Sequence, residues 1–199
     1  SRAVGFHGKN VSQIFEILNQ QSPCKIDLGI VNGANSSMWY VQVLSTGFDA
    51  KVNELANRIT WLRGKSKYTI AMILILSKFK ALAYEIEIDG RTYSRKAMLL
   101  SVANGETYGG GMRICPGASN SDGVLDILVV SPVSKFVLLT IFPKVFTGKH
   151  ILHPKVDLLH GSVIKISAPG SAYADGEYIA ELPIEIINVK GALSTWVAV

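Results

Sequence analysis

Two stretches of the chain carry residue types whose spacing suits chemistry. The first is Tyr173-Ala174-Asp175-Gly176-Glu177. Asp175 and Glu177 lie two positions apart on an expected hairpin edge, where strand alternation would turn both to one face. Such a pair can supply a general base and the group that orients it; a solvated turn is the competing reading. The second stretch runs from Asn104-Gly105-Glu106-Thr107-Tyr108-Gly109-Gly110-Gly111-Met112 into Pro116-Gly117-Ala118-Ser119-Asn120-Ser121-Asp122-Gly123-Val124-Leu125-Asp126. Three consecutive glycines strip side chains from the path, so a phosphate, a lipid or another backbone can come close. A bulge or tight turn needs the same residues. Asp122, beside Gly123, can hold a hard cation together with carbonyl oxygens freed by the loop; an Asx-turn is the alternative use of that pair.

Other familiar constellations are missing or incomplete. The glycine-rich stretch matches neither a dinucleotide fingerprint nor a Walker A loop, and Asp122 lies in no EF-hand pattern. His150-x-x-His153 has a metal-like spacing without a third ligand nearby in sequence. No Gly-x-Ser-x-Gly elbow supports a serine hydrolase. Cys24 and Cys115 are too few for a disulfide framework and fit a reducing compartment, so a cytoplasmic location is expected.

Elements that would position these groups can be read from periodicity. Asn10 and Gln13 imitate a capping box, and Val11, Ile14, Phe15 and Leu18 recur at helical spacing, which predicts a helix over 10–20. Lys25–Asn32 and Met38–Leu44 read as a hairpin across Asn32-Gly33. Asp49 stands as the expected N-cap of a second helix, with Val52, Leu55, Ala56, Ile59 and Leu62 on its stripe and Gly64 as its C-terminal cap. Tyr68–Lys80 is read as a helix, and Ala83–Ile88 as a strand returning through Asp89-Gly90 along Lys96–Ala103. A strand follows at Leu125–Val130, then a helix from Ser134 that Pro143 kinks or stops. From Ser162 onward, Pro169-Gly170, Asp175-Gly176, Pro183 and Lys190-Gly191 divide the chain into short strands. That pattern favours a sandwich or barrel over βαβ units.

Composition bounds the rest. In 199 residues, 48% are hydrophobic and 18% charged, which excludes a disordered or collagen-like chain. The apolar run Ile70–Leu76 falls far short of the roughly 20 residues that cross a bilayer. A net charge of +5 permits anionic partners, but the basic residues are scattered, with only short pairs such as Arg95-Lys96, so nucleic acid is not expected. The chain opens on Ser1-Arg2 with no signal-peptide pattern and reads as a fragment.

Taken in order, Gly47-Phe48-Asp49-Ala50, Ala103-Asn104-Gly105, Tyr108-Gly109-Gly110-Gly111-Met112, Pro116-Gly117-Ala118, Asp122-Gly123-Val124-Leu125-Asp126, Gly148-Lys149-His150 and Asp175-Gly176-Glu177 resemble the bacterial diacylglycerol kinase and lipid kinase family across the chain. The family's ATP-holding Gly-Gly-Asp-Gly-Thr and Gly-Thr-Gly-Asn loops do not occur in this sequence, and Ser1–Gly5 looks like the stretch that follows the second. The resemblance therefore implies an α+β, mostly β chain: an antiparallel β-sandwich with a few helices, the substrate-side domain of a two-domain lipid kinase. It would span 1–199, with residues 1–22 forming a helix that adjoins the missing nucleotide domain.

By the same resemblance, Glu177 matches the proton acceptor and Asp175 assists it. Asp122 matches a magnesium ligand, joined by the backbone carbonyls of Ser119 and Val124. Asn104 and Gly105 would border the cofactor. The implied reaction moves the γ-phosphate of ATP to a lipid hydroxyl, with diacylglycerol giving phosphatidic acid as the first expectation and Mg2+ and ATP as cofactors. Partners would be the lipid, ATP and, by peripheral contact, the inner face of the membrane; a homodimer is a further possibility. By itself the chain is expected to be inactive. A non-catalytic lipid- or protein-binding sandwich and a soluble NAD-kinase-like enzyme stand as alternatives.

Overall fold

The computed structural model describes residues 3–60, 65–108 and 111–198. Two six-stranded antiparallel sheets lie face to face. The first has the order β2 (Ser37–Tyr40), β1 (Cys24–Asn32), β14 (Ile184–Thr195), β11 (Val163–Ser167), β4 (Leu82–Ile88) and β5 (Arg91–Ala97). The second has the order β10 (Val156–Gly161), β9 (Leu125–Val130), β6 (Leu99–Ala103), β3 (Val43–Gly47), β12 (Ser171–Ala174) and β13 (Glu177–Glu181). Between them sits one core, to which the first sheet contributes Val31, Tyr84, Ile86 and Ile164 and the second Leu44, Leu100, Val102 and Ile127. The expected antiparallel β-sandwich with a few helices is the fold observed.

The outer faces of the two sheets differ. β4 alternates in burial, leaving residues such as Glu85 in water, as suits a sheet with one wet face. β3 and β9 are buried almost throughout, because helices cover the second sheet. There α2 (Phe48–Arg58), α3 (Lys65–Lys78) and α4 (Lys135–Ile141) lay Phe48, Val52, Leu76 and Leu138 on Leu128, Val130 and Val43. The chain is thus a three-layer stack of sheet, sheet and helices.

Several local expectations hold, with shifts of two or three residues at the ends of α3. α1 (Val11–Gln20) begins at Asn10 with both bonds of the capping box at 2.9 Å. The segment read as helix over Tyr68–Lys80 is α3, and α4 is capped by Ser134. Pro143 falls in the first turn of the 3-10 helix Phe142–Thr147, where its missing N–H leaves no broken bond.

Other expectations are corrected. The strand returning from Asp89-Gly90 is Arg91–Ala97, not Lys96–Ala103, because both turn residues have positive φ and a two-residue hairpin admits no longer connection. After Ala97 the chain crosses at Met98 to the other sheet. Met38–Leu44 divides likewise: β2 pairs with β1, whereas β3 joins the second sheet. Asp49 lies inside α2, and the N-cap is Gly47 at φ 70°, where a Cβ would meet the Tyr84 hydroxyl at 2.5 Å. Ile59 is the C-cap of this helix, and the expected continuation to Leu62 and Gly64 lies outside the described residues. Lys190-Gly191 does not end a strand; it forms a bulge within β14 opposite Asp27. β10 was not anticipated at all.

That bulge controls a buried charge. Alternation along β1 is interrupted at Ile26 and Asp27, which are both buried, since the register shift between Ile26 and Leu28 turns Asp27 inward. Its carboxylate accepts the N–H groups of Gly123 (2.7 Å) and Gly191 (2.8 Å). Removing it strands two backbone donors, so Asp27→Ala should lower unfolding stability by about 3 kcal/mol. The midpoint of a urea transition checks this, with Asp27→Asn expected to lose less.

Candidate functional site

A polar seam joins residues that the sequence places far apart. At one end, Asp175 occupies the β12–β13 turn with φ 51°. Its carboxylate accepts the N–H groups of Val41 (2.7 Å), Gln42 (3.0 Å) and Val43 (3.2 Å), where the chain passes from one sheet to the other. Asn104, fully buried at the end of β6, donates its amide hydrogens to Val41 O and Asp27 O, both at 2.8 Å, while its N–H donates to Gln42 O at 2.8 Å. Asp27 continues the seam, since its own N–H donates to Asn120 O (2.7 Å) and its carboxylate accepts from Gly123. Hydrogen bonds thus run from Asp175 through Asn104 and Asp27 to the loop that holds Ser119, Asp122 and Val124.

In that loop, exposed Asp122 accepts the Val124 N–H at 3.0 Å, which makes the Asx-turn. One carboxylate oxygen is left over, and the carbonyls of Ser119 and Val124 accept no hydrogen bond among the described residues. Asp126 stands nearby, bonded to His160 Nδ1 at 2.8 Å; burial first and the charge of Asp122 last raise its carboxyl above the ordinary range. Among the described residues no three Asp, Glu, His or Cys side chains converge on a metal-sized site. One carboxylate with loop carbonyls is the donor set present, and it fits a hard, largely hydrated cation.

Glu177 opens β13 exposed to solvent, with no hydrogen bond or ion pair from its side chain among the described residues. Its partner in the expected dyad is engaged elsewhere, since Asp175 spends its carboxylate on the sheet crossover. Asn57 near the end of α2 donates to Gly176 O at 3.1 Å, fixing this turn against the helix. Gly105 lies at the far side of the crossover, where a Cβ would meet the Gln42 side-chain amide at 2.5 Å.

The sequence did not reveal the pocket beneath the helical layer. It is lined by Phe48, Met72, Leu76, Leu128, Leu138 and Val145, and Asp49 and Tyr108 lend it polar groups. Burial pushes the Asp49 carboxyl up from the ordinary 3.8, against the pull of the Ser45 and Tyr108 hydroxyls. Burial and then the Asp49 charge push the Tyr108 hydroxyl well above its usual range. A carboxylate one residue after Phe48, inside the Gly-Phe-Asp-Ala piece, was the available signal, and its reading as a helix cap concealed it.

The remaining motif residues brace this region. His150 is buried, with Nε2 2.9 Å from Ile114 O. Burial lowers its pKa, and no partner His153 ligand geometry arises, since His153 Nδ1 accepts the Lys155 N–H. Gly148, at φ 72°, lets Pro116 approach to where a Cβ would lie only 2.8 Å away. Of the glycine triplet, Gly109 and Gly110 lie outside the described residues; Gly111 sits between β7 (Thr107–Tyr108) and β8 (Met112–Arg113). Cys115 is buried, which pushes its thiol up and makes it a poor nucleophile.

A sandwich with one helix-covered sheet is a fold that other proteins share. The chain belongs to the YegS C-terminal NAD kinase beta sandwich-like domain family, whose model matches residues 42–197. A diacylglycerol kinase of Mycobacterium tuberculosis is 36% identical over 196 residues, covering 97% of this chain and 63% of that protein. The diacylglycerol kinase of Bacillus subtilis is 21% identical over 192 residues, covering 95% and 62%. A crystal structure described as a diacylglycerol kinase from Bacillus anthracis strain Sterne superposes with a TM-score of 0.72 at 21% identity, over all of this chain and 64% of that one. The chain therefore spans just under two thirds of these relatives.

Asp49 gives the pocket a measurable signature. A carboxyl whose folded-state pKa is raised holds its proton longer in the native state, so its contribution to stability falls as pH rises from the unfolded to the folded pKa. Asp49→Asn removes that slope. The variant's melting temperature relative to the wild type should climb as pH rises upward from 3.8, as a thermal unfolding series will show.

Proposed function

We propose that this chain is the acceptor-side domain of an ATP-dependent lipid kinase, which moves the γ-phosphate of ATP to the hydroxyl of a membrane lipid. Diacylglycerol, giving phosphatidic acid, is the acceptor we favour. The observation that carries the proposal is the apolar pocket with a single carboxylate, Asp49, beside its Tyr108 hydroxyl. The names of the relatives point to the same acceptor. The pocket offers ≈ 50 Å³, room for a few waters and far too little for acyl chains. Acyl chains would therefore enter by parting α3 from α4. Asp49 and Asn57 stand eight residues apart on α2, about 12 Å along a helix. A glycerolipid lying along α2 would keep its chains in the pocket and bring its free hydroxyl to the turn that Asn57 holds, beside Glu177.

In this reading Glu177 takes the proton of the attacking hydroxyl, and its exposed position at a strand start lets it face a nucleotide held mainly by the part of the protein outside this chain. Asp175 is a positioning residue, acting through the crossover bonds and the shape of the turn. Asn104 and Gly105 serve the nucleotide side by setting the backbone next to that crossover. Phosphoryl transfer depends mostly on alignment and on neutralising charge, which suits a rigid turn tied to a braced seam.

Mg2+ would be held by Asp122 with the carbonyls of Ser119 and Val124, where it neutralises charge and stiffens the loop. Asp27 and Asn120 carry that stiffness into the seam.

Glu177→Gln, in the protein of full natural length, should cut turnover by about 10² or more with ATP affinity near normal. Steady-state kinetics check this, and wild-type turnover would remove Glu177 from the mechanism. Asp175→Ala should lose both stability and turnover, since three N–H groups lose their acceptor. Magnesium chloride should raise the melting temperature of the wild type and leave that of Asp122→Ala unmoved.

A further inference from the structure

The stretches of sequence that contain α3 and α4 differ in charge from the rest of the chain, α2 with its Asp49 and Glu54 included, and the acids are what make the difference. Between Glu54 and Glu85 the sequence has six Lys and Arg residues and no Asp or Glu. Between Asp126 and Asp157 it has four lysines and again no acid. These two windows hold half of the chain's 20 basic residues and none of its 15 acidic ones. The first window contains α3; the second contains α4 and the 3-10 turns Phe142–Thr147 and Lys149–Leu152. They meet in space, since Lys135 Nζ donates to Ser77 O and side chains from both line the apolar pocket.

The same elements present large apolar groups to water. Phe136 is 82% exposed, Leu152 80% and Phe146 48%. Phe146 packs edge-on against Phe142, their centroids 6.2 Å apart, and Phe142 lines the pocket; Leu139 both lines it and reaches the surface. The pocket therefore borders the exposed apolar face directly. Exposed Lys144 and Lys149 flank Phe146 in the chain. Nucleic acid would satisfy the lysines and leave Phe136 and Leu152 in water, whereas an anionic bilayer accommodates both kinds of group. Among the described residues no helix is long and apolar enough to cross a membrane, so such contact would lie in the interface plane.

We propose that the α4 face with its two 3-10 turns seats the protein on an anionic lipid bilayer, Phe136, Phe146 and Leu152 entering the headgroup boundary and Lys144 and Lys149 meeting lipid phosphates. This assignment rests on the reading of the adjoining pocket as the acyl site of a lipid acceptor. It gives that pocket an entrance from the membrane, so that the acceptor need not pass through water.

The test is co-sedimentation of the protein at full natural length with vesicles of equimolar phosphatidylglycerol and phosphatidylcholine, against vesicles of phosphatidylcholine alone. Binding should favour the anionic vesicles and weaken with salt. Phe136→Ser with Leu152→Ser, and separately Lys144→Glu with Lys149→Glu, should each lower the partition by about ten-fold or more. Melting temperature and turnover on a monomeric short-chain acceptor should be unchanged. Wild-type partition in both double variants, or no preference for anionic vesicles, overturns the proposal. So does a dimer that the Phe136/Leu152 pair of substitutions dissolves, which would give the face to a second copy of the chain. Sedimentation needs neither ATP nor transfer, so a protein that binds vesicles yet phosphorylates no lipid sinks the kinase reading and leaves the surface standing.

Discussion

The buried carboxylate of Asp27 is the constraint on which the arrangement turns. A charge that is 4% exposed is costly unless hydrogen bonds surround it. Two backbone N–H groups from different parts of the chain satisfy it: Gly123 from the loop before β9 and Gly191 from the bulge in β14. Each donor belongs to a different sheet system, so the carboxylate locks loop, bulge and strand together. Asn104 extends the lock to the point where the chain changes sheets, and Asp175 closes it from the far side.

A consequence is that the residues with the most suggestive chemistry are also structural. Asp175, Asn104 and Asp122 each hold backbone N–H or C=O groups in place, and only Glu177 among them and their partner keeps its side chain free of protein bonds among the described residues. Glu177 thus projects from a turn that Asp175 and Asn57 tie to the crossover and to α2. The helical layer is the contrasting part. Its 14-residue α3 and seven-residue α4 are joined by the Lys135 contact and cover a small cavity. Seam and cover are thus held by different means, the one by hydrogen bonds to buried and half-buried polar groups, the other by apolar packing.

Much of the fold was legible in local sequence. The Asn10/Gln13 capping box, the Asp89-Gly90 turn and Ser134 act over three or four residues, so their physics is complete within a short window. Strand partnership was less legible. The runs read as Met38–Leu44 and Lys96–Ala103 look continuous, yet Val41-Gln42 and Met98 carry the chain between sheets. The residues next to each break, Tyr40 and Val43 at one and Ala97 and Leu99 at the other, are apolar, so the sequence there gives no sign of the crossing. Asp49 was misread for a similar reason: near a helix start a carboxylate looks like a cap, and only the packing of α2 on the sheet shows it bordering a pocket.

Order of motifs along the chain was enough to determine the family and the sandwich, because glycine turns, alternating strands and capped helices are short-range features. It was also enough to single out Asp122, Asp175 and Glu177. Tertiary structure alone decided what those carboxylates touch: Asp175 turns to the crossover, Glu177 to solvent, and Asp27, in a strand that looked ordinary, to the interior. The reason is geometric. A bulge shifts the alternation of a strand by one residue, and the partner strand that creates the bulge lies 164 residues away in sequence.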